Sequence, residues 1–289
     1  MKFLDLFAGI GGFRMGLESL GHECVGFCEI DKFARKSYKA IYDTKGEIEL
    51  HDITQVTDEE WRKFRGTVDI ICGGFPCQAF SIAGKRKGFL DETRGTLFFE
   101  IARAAKEIKP PLLFLENVKG LLSHDKGRTF RTILSTLDEL GYDAEWQILN
   151  SKDFGVPQNR ERVYIIGHLR GACGRPVFPI RGESGTTNRA NSKVIYKVLG
   201  STQKHCAKTD GTFAPTLTSS MGTGGGHIPM LVYEKLRIRK LTPRECWRLQ
   251  GFPDWAFDKA QEVNSKTQLY KQAGNSVTVN VIKAIAERL

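Results

Sequence analysis

No apolar run in this 289-residue sequence approaches the roughly 20 residues that a helix needs to cross a bilayer. The opening stretch, Met1-Lys2-Phe3-Leu4-Asp5-Leu6-Phe7, has too short an apolar segment for a secretory signal and contains an acid. A cytoplasmic protein is therefore expected, with no membrane partner. The seven cysteines (24, 28, 72, 77, 173, 206 and 246) are odd in number, form no CxxC pair and lack zinc spacing. Free thiols are expected, with neither a disulfide framework nor a metal site. There is no Walker lysine, which argues against a nucleoside triphosphate, and no GxGxxG, which argues against a dinucleotide. Internal repeats and low-complexity tails are also lacking.

What is present is basic charge, concentrated in one place. The net charge is +10. Residues 170–240 hold 12 Lys/Arg against 3 Asp/Glu, and the rest of the chain 31 against 30. A concentrated excess of this kind is the footprint of a polyanion-binding surface, nucleic acid above all; a solvated basic face without a partner is the plainer reading.

The first 170 residues alternate apolar strands with amphipathic helices. Strands are predicted at Phe3 to Phe7, Cys24 to Cys28, Val68 to Cys72, Leu112 to Leu115, Tyr142 to Leu149 and Arg162 to Gly167. Helices are predicted at Gly12 to Leu20, Lys32 to Tyr42, Thr96 to Ile108 and Arg128 to Leu140. Repeated β-α-β units imply an α/β fold with a doubly wound, mainly parallel sheet, whose ligands sit outside the carboxyl ends of the strands. Glu29, Cys77 and Glu116 all fall at predicted strand ends. After Gly167 the chain is rich in Gly, Ser, Thr and Asn, which reads as a small, irregular second domain. Thr242 is placed as an N-cap with Pro243 at the first helical position, and Gly251-Phe252-Pro253 stops that helix. A Gly274-Asn275 turn and a last helix from about Val277 follow. The expected domains are 1–169 with 265–289, a segment 170–240, and a hinge and connecting helix region 241–264.

The stretch Gly73-Gly74-Phe75-Pro76-Cys77-Gln78 leaves the third of these strands through two glycines and presents a thiol stiffened by proline. Cys77 is either an idle small residue or a nucleophile held up to a substrate. At the first strand end, Phe7-Ala8-Gly9-Ile10-Gly11-Gly12 would let backbone approach a ligand closely, as it would for nucleotides, flavins and S-adenosylmethionine alike. Glu29 is placed to accept from ribose hydroxyls, and Asp52-Ile53 to hold an adenine. An adenosine-containing cofactor fits all three.

Phe7-Ala8-Gly9-Ile10-Gly11-Gly12-Phe13-Arg14, Gly74-Phe75-Pro76-Cys77-Gln78, Glu116-Asn117-Val118, Gln158-Asn159-Arg160-Glu161-Arg162 and Gly274-Asn275-Ser276-Val277 occur in that order. With Arg239 to Glu245 and Leu249 to Pro253, the sequence resembles the bacterial and phage cytosine-5 DNA methyltransferases of restriction-modification systems over residues 1–168 and 239–289. The resemblance implies a Rossmann-like methyltransferase domain using S-adenosylmethionine, and a target-recognition domain in the segment that the charge count singled out. It implies base flipping in double-stranded DNA, with Cys77 as the nucleophile toward cytosine carbon 6, Glu116 at ring nitrogen 3, and Arg160 and Arg162 at the ring carbonyl and a phosphate. Glu116 needs a raised pKa for that task. The cofactor site would draw on Phe7, Ala8, Gly9, Ile10, Gly12, Glu29, Ile30, Asp52, Ile53, Pro76, Leu97, Asn275, Ser276 and Val277. DNA contacts would come from Gln78, Ser81, Lys85 and Arg86 on a closing loop and from Thr216 and Leu217 in the major groove. A monomer is expected, with a cognate restriction endonuclease as a possible partner that the reaction does not require.

Three other readings stand beside this one. An RNA methyltransferase of the same superfamily would carry a Cys-Phe-Thr signature, which is missing. An inactive DNA-binding module would not need the intact Pro-Cys, Glu-Asn-Val and arginine set. An oxidoreductase using Cys77 as a redox thiol would need a resolving cysteine and a nicotinamide fingerprint.

Overall fold

The computed structural model describes residues 1–76, 97–172, 174–182, 213–221, 228–232 and 238–289. Seven strands form one sheet: β1 (Lys2–Leu6), β2 (Glu23–Cys28), β3 (Ile48–Leu50), β4 (Ile70–Gly74), β5 (Leu112–Val118), β6 (Tyr142–Asn150) and β7 (Glu161–Leu169). Their order is β3-β2-β1-β4-β5-β7-β6. The first five are parallel; β7 runs antiparallel to both β5 and β6. The order reverses between β1 and β4, and a doubly wound sheet opens a crevice at such a reversal.

Side chains alternate across the sheet, so each strand feeds two cores. Leu4, Leu6, Ile71, Leu113, Leu115, Val163 and Ile165 face α3 (Asp58–Arg62), α4 (Leu97–Ile108) and α5 (Arg128–Glu139). Phe3, Ile70, Cys72, Phe114, Tyr164 and Ile166 face α1 (Gly12–Glu18) and the C-terminal helix Val279–Ala286. Those two helices touch closely: a Cβ on Gly16 would lie 2.7 Å from Ile282 Cγ2.

A third core lies beside the sheet. It joins α2 (Lys32–Ile41) to α6 (Pro243–Leu249), α7 (Asp254–Val263) and α8 (Lys266–Asn275), which makes the C-terminal helix α9. Trp247 is fully buried there and its indole N–H donates to the Leu269 carbonyl at 3.0 Å. Thr242 caps α6 in a capping box with Glu245, with Pro243 in the first turn, as the sequence predicts. Gly251, at φ +80°, ends it: its N–H reaches the Arg248 carbonyl and that of Phe252 the Trp247 carbonyl, the Schellman pattern.

The structure departs from the sequence reading in three places. Gly73 and Gly74 do not form a turn; they continue β4. They are small because a Cβ at 73 would meet the Leu6 carbonyl oxygen at 2.5 Å, and one at 74 the Glu116 carboxylate at 2.9 Å. Gly274 and Asn275 are likewise the end of α8 and not a turn. Helices α3, α7 and α8 were not anticipated, since their apolar positions are few and their partners lie far along the chain. Residues 241–264 carry α6 and α7, which pack against α2 through Trp247, Phe252, Ala256 and Phe257.

The described parts of 170–240 rest on the main body. Glu145 of β6 accepts the Val177 and Phe178 N–H groups at 2.7 and 3.0 Å, and Val177 and Ile180 are buried. Ala214, Leu217 and Met221 are buried in the third core. A two-stranded ribbon, β8 (Met230–Val232) with β9 (Ile238–Lys240), leads into α6. Among the described residues no helix is long and apolar enough to cross a membrane.

Candidate active site

A cavity of about 450 Å³ opens at the carboxyl ends of β1, β2, β4 and β5. Its size is that of a cofactor or drug-sized ligand site. Phe7, Gly9 and Ile10 follow β1; Glu29, Ile30 and Asp31 follow β2; Asp52 and Ile53 follow β3; Gly74, Phe75 and Pro76 end the β4 segment. Leu97 opens α4, Glu116 to Val118 end β5, and Arg160, Arg162, Lys271, Gln272, Gly274 and Asn275 close the far side.

The β1 end is built from unusual backbone. Phe7, Gly9 and Gly11 all have positive φ (+56°, +57° and +80°). For Phe7 this is the sparsely populated left-handed region, a cost that local structure must hold in place. Gly11 has a second reason: a Cβ there would lie 2.3 Å from the Tyr42 ring. Glu29 supports the loop from β2. Its Oε2 accepts from Gly9 N–H at 2.8 Å and its Oε1 from Asp31 N–H at 2.7 Å. Burial raises the Glu29 pKa, and these two N–H groups oppose the rise. Ile30 is 68% exposed, an apolar side chain left on the cavity lip. Asp52 caps a single 3₁₀ turn by accepting from Thr54 N–H at 3.0 Å, and Ile53 is buried beside it. Asp31 caps α2 and pairs with Lys271 of α8 at 2.7 Å, across from the β1 loop.

Beneath the loop Asp5 is fully buried. Burial pushes its carboxyl up to about 7, against the pull of Arg14 and the Tyr38 hydroxyl. The thiols of Cys24, Cys28 and Cys246 are pushed up to about 12 by burial, and that of Cys72 well above the ordinary value. These four are free thiols, as the sequence predicts, and burial leaves them inert.

At the β5 end Glu116 is 7% exposed and pairs with Arg162 Nε at 3.0 Å. Burial raises its pKa, and Arg162 and then Arg160 pull it back. Asn117 donates to the Phe75 carbonyl at 2.8 Å and accepts from Val118 N–H at 2.8 Å, so the end of β5 holds the chain that leads to Pro76.

Arg160 differs from Arg162. It is 3% exposed and donates to three carbonyls: Leu217 at 2.9 Å, Gly274 at 3.2 Å and Ser276 at 2.7 Å. Its guanidinium ties two strips of backbone together, 217 and 274–276, and is not presented to solvent, so the expected phosphate contact is not what this geometry offers. Leu217 is also out of place for the major groove. Its side chain is 1% exposed in the third core, and its N–H donates to Gln158 Oε1 at 3.1 Å. Thr216 gives its hydroxyl to the Asn159 carbonyl at 2.7 Å.

Ala8, Gly12, Ser276 and Val277 stand one layer behind the cavity wall. Gly12 is where α1 meets the C-terminal segment: a Cβ there would lie 2.6 Å from Val277 Cγ2 and 2.9 Å from Ser276 Oγ. Cys77, Gln78, Ser81, Lys85 and Arg86 lie outside the described residues. The sequence reading missed Asp31, Lys271 and Gln272 on the cavity wall: Asp31 is the N-cap of α2, and α8, which carries the other two, offered no motif. It also missed the buried glutamines 158 and 250. Both stood inside quoted motifs, so a signal was present, but nothing local assigned them a task.

A family model for the C-5 cytosine-specific DNA methylase matches residues 1–209 and again 180–289. The Type II methyltransferase M.Bsp6I of Bacillus sp. (strain RFL6) is 39% identical, with 100% of this chain and 98% of that protein covered. The Type II methyltransferase M1.ScrFI of Lactococcus lactis subsp. cremoris is 42% identical, over 100% of this chain and 77% of its own. The Type II methyltransferase M.HhaI of Haemophilus parahaemolyticus is 38% identical over 99% and 93%. Among solved structures, the S. pombe Dnmt2 methyltransferase superposes with a TM-score of 0.70 at 22% identity, covering 98% of this chain and 96% of that one. A putative DNA modification methyltransferase encoded within an E. coli prophage gives 0.68 at 21%, over 99% and 97%. The last two agree in fold, a Rossmann-like methyltransferase. With the family model and the nearly full-length sequence relatives, the chain belongs to the C-5 cytosine-specific DNA methylase family and is a DNA cytosine-5 methyltransferase.

Proposed function

We propose that the cavity holds S-adenosylmethionine, and that the enzyme uses it on one cytosine of a short sequence in duplex DNA, flipped from the stack. The observation that carries this reading is the joining of two halves in one cavity. An adenosine-sized end carries Glu29, Ile30, Asp52 and Ile53, and a buried Glu116–Arg162 pair sits at the other end beside Pro76. The donor set suits the group. Glu29 and Asp52 offer carboxylate acceptors for ribose hydroxyls and an adenine amine. Ile30, Ile53, Leu97 and Phe7 offer apolar faces, and Asn275 adds a polar group from the C-terminal side. When bound, this cofactor supplies a methyl on a sulfonium, ready for a carbon nucleophile.

The chain's own groups make that nucleophile. Cys77, next after Pro76, adds as thiolate to cytosine carbon 6. Glu116 gives its proton to ring nitrogen 3, so the displaced electron pair is held in the ring and carbon 5 becomes nucleophilic. A raised pKa suits a carboxyl that must arrive protonated. Arg162 keeps Glu116 in place and offers its remaining N–H groups to the ring carbonyl. After transfer the carbon 5 proton leaves to base, and the thiolate is eliminated. Flipping costs roughly a few kcal/mol. Gln78, Ser81, Lys85 and Arg86 are proposed to hold the opened strand, and residues 170–240 to read the sequence. A cytoplasmic monomer is the working unit, and a cognate endonuclease serves the cell and not the reaction.

The test is expression of the wild type and of Cys77→Ser in a methylation-free host, followed by bisulfite sequencing of host DNA. Protected cytosines confined to one short motif in the wild type, and none with Cys77→Ser, are expected. Full conversion in both, from folded protein that binds S-adenosylmethionine, would move RNA to the front as substrate.

A further inference from the structure

Gly274 has the cavity on one side and the recognition segment on the other. It lines the cavity together with Asn275. A Cβ at this position would lie 2.1 Å from the Thr218 carbonyl oxygen, 2.2 Å from the Thr218 carbonyl carbon and 2.6 Å from Ser219 N. The residue sits in the last turn of α8, where glycine is weaker than alanine by roughly 0.5–1 kcal/mol. Its φ is not positive, so the reason for glycine here is room for the 218–219 backbone and not conformation.

The same two strips are tied by one side chain. The buried guanidinium of Arg160 donates to Leu217 O from one nitrogen and to Gly274 O and Ser276 O from the other. Leu217 N–H is held in turn by Gln158, whose amide N–H donates to the Leu249 carbonyl at 2.8 Å. Residues 217–219 are therefore seated on the backbone that forms the far wall of the cavity, with no side chain or gap between. Backbone packed at this distance has no slack: a shift of 274–276 moves the Arg160 acceptors and the seat of Thr218 together.

We infer that Gly274 and Arg160 couple occupancy of the cavity to the seating of residues 217–219, so that cofactor and DNA bind cooperatively through this contact. The inference rests on the proposed reading of the cavity and of the 170–240 segment. By linkage the effect is reciprocal, and each ligand strengthens the other by the same factor. Arg160 acts here as a positioning residue.

The test uses S-adenosylhomocysteine as the probe and does not require turnover. Hydrogen exchange of the wild-type peptide spanning 213–221 is measured without DNA, with and without the probe. Slower exchange of this peptide on probe binding is expected. Anisotropy titrations of a duplex carrying the methylated motif, with and without probe, should show DNA affinity rising about five-fold or more in the wild type. In Gly274→Ala, compared at a probe concentration shown to saturate that variant, the gain should fall below about two-fold. A probe that binds by thermal shift yet leaves 213–221 exchange unchanged overturns the coupling and leaves the proposed function standing. A probe that does not bind at all overturns the cofactor reading, and the coupling with it. If Gly274→Ala does not fold, the wild-type exchange result decides.

Discussion

Two walls close on the same cavity, and they are held by different forces. The β1–β2 wall sits on apolar core: Leu4, Leu6 and Phe27 are fully buried, and its loop is shaped by local backbone, with Glu29 bonding residues 9 and 31. The far wall, residues 273–279 with 158–160 and 214–218, is held by buried polar groups. Gln158, Gln250, Thr278, Ser151 and Arg160 are each at most 3% exposed. Gln250 donates to the Ala273 carbonyl at 2.7 Å and accepts from the Thr278 hydroxyl at 3.0 Å; Thr278 pairs with Ser151 at 2.8 Å. Apolar packing tolerates small losses, whereas a buried polar network is worth little net until one member is lost and its partners are stranded. The first wall is robust and local; the second is exact in geometry and assembled from segments far apart in sequence.

The largest effect is expected where the walls meet. Glu116→Gln removes the proton donor while preserving shape, so kcat should fall about 10²–10⁴-fold with the affinity for S-adenosylhomocysteine unchanged by calorimetry. An equal loss of both would place Glu116 in cofactor binding. Next comes Gln250→Leu, which strands the Ala273 carbonyl and takes the acceptor from the Thr278 hydroxyl, leaving it only Ser151. Denaturant melts should show a loss of about 3 kcal/mol. A near-neutral result would mean that the far wall is no more demanding than the first.

A third prediction probes the floor of the β1 wall. The folded-state pKa of Asp5 is raised by burial from 3.8 to about 7, so its contribution is present at low pH and lost as pH rises through about 7. Melting temperature should fall between pH 5 and pH 8, and Asp5→Asn should remove most of that fall. The smallest effect is expected at Ile30→Ala. This side chain is 68% exposed, so stability should move by no more than about 0.5 kcal/mol. Cofactor affinity should weaken by roughly three- to ten-fold, about 1 kcal/mol of lost apolar contact. Unchanged affinity would remove Ile30 from the cofactor's contacts.

Much of this molecule is determined along the chain. Strand and helix positions through residue 169, α3 excepted, follow from apolar periodicity, and the α6 cap from Thr242, Pro243 and Glu245. The placement of Glu29 and Glu116 at strand ends follows from the β-α-β repeat. Family membership rests on motifs that are each contiguous. These are short-range signals, and physical reasoning on sequence reads them well.

What only tertiary structure decided is how distant segments share space. Gly73, Gly74 and Gly274 look like turn residues, yet each is small because a backbone or carboxylate from elsewhere fills the place of its Cβ. Arg160 and Arg162 are two residues apart where β7 begins; one is buried as a clamp and the other faces Glu116. Leu217 lies in a basic, polar stretch but packs in a core with Trp247. In every case the deciding contact lies at least 30 residues away. Close packing and the need to satisfy buried polar groups act on neighbours in space, and local sequence carries no record of who those neighbours will be.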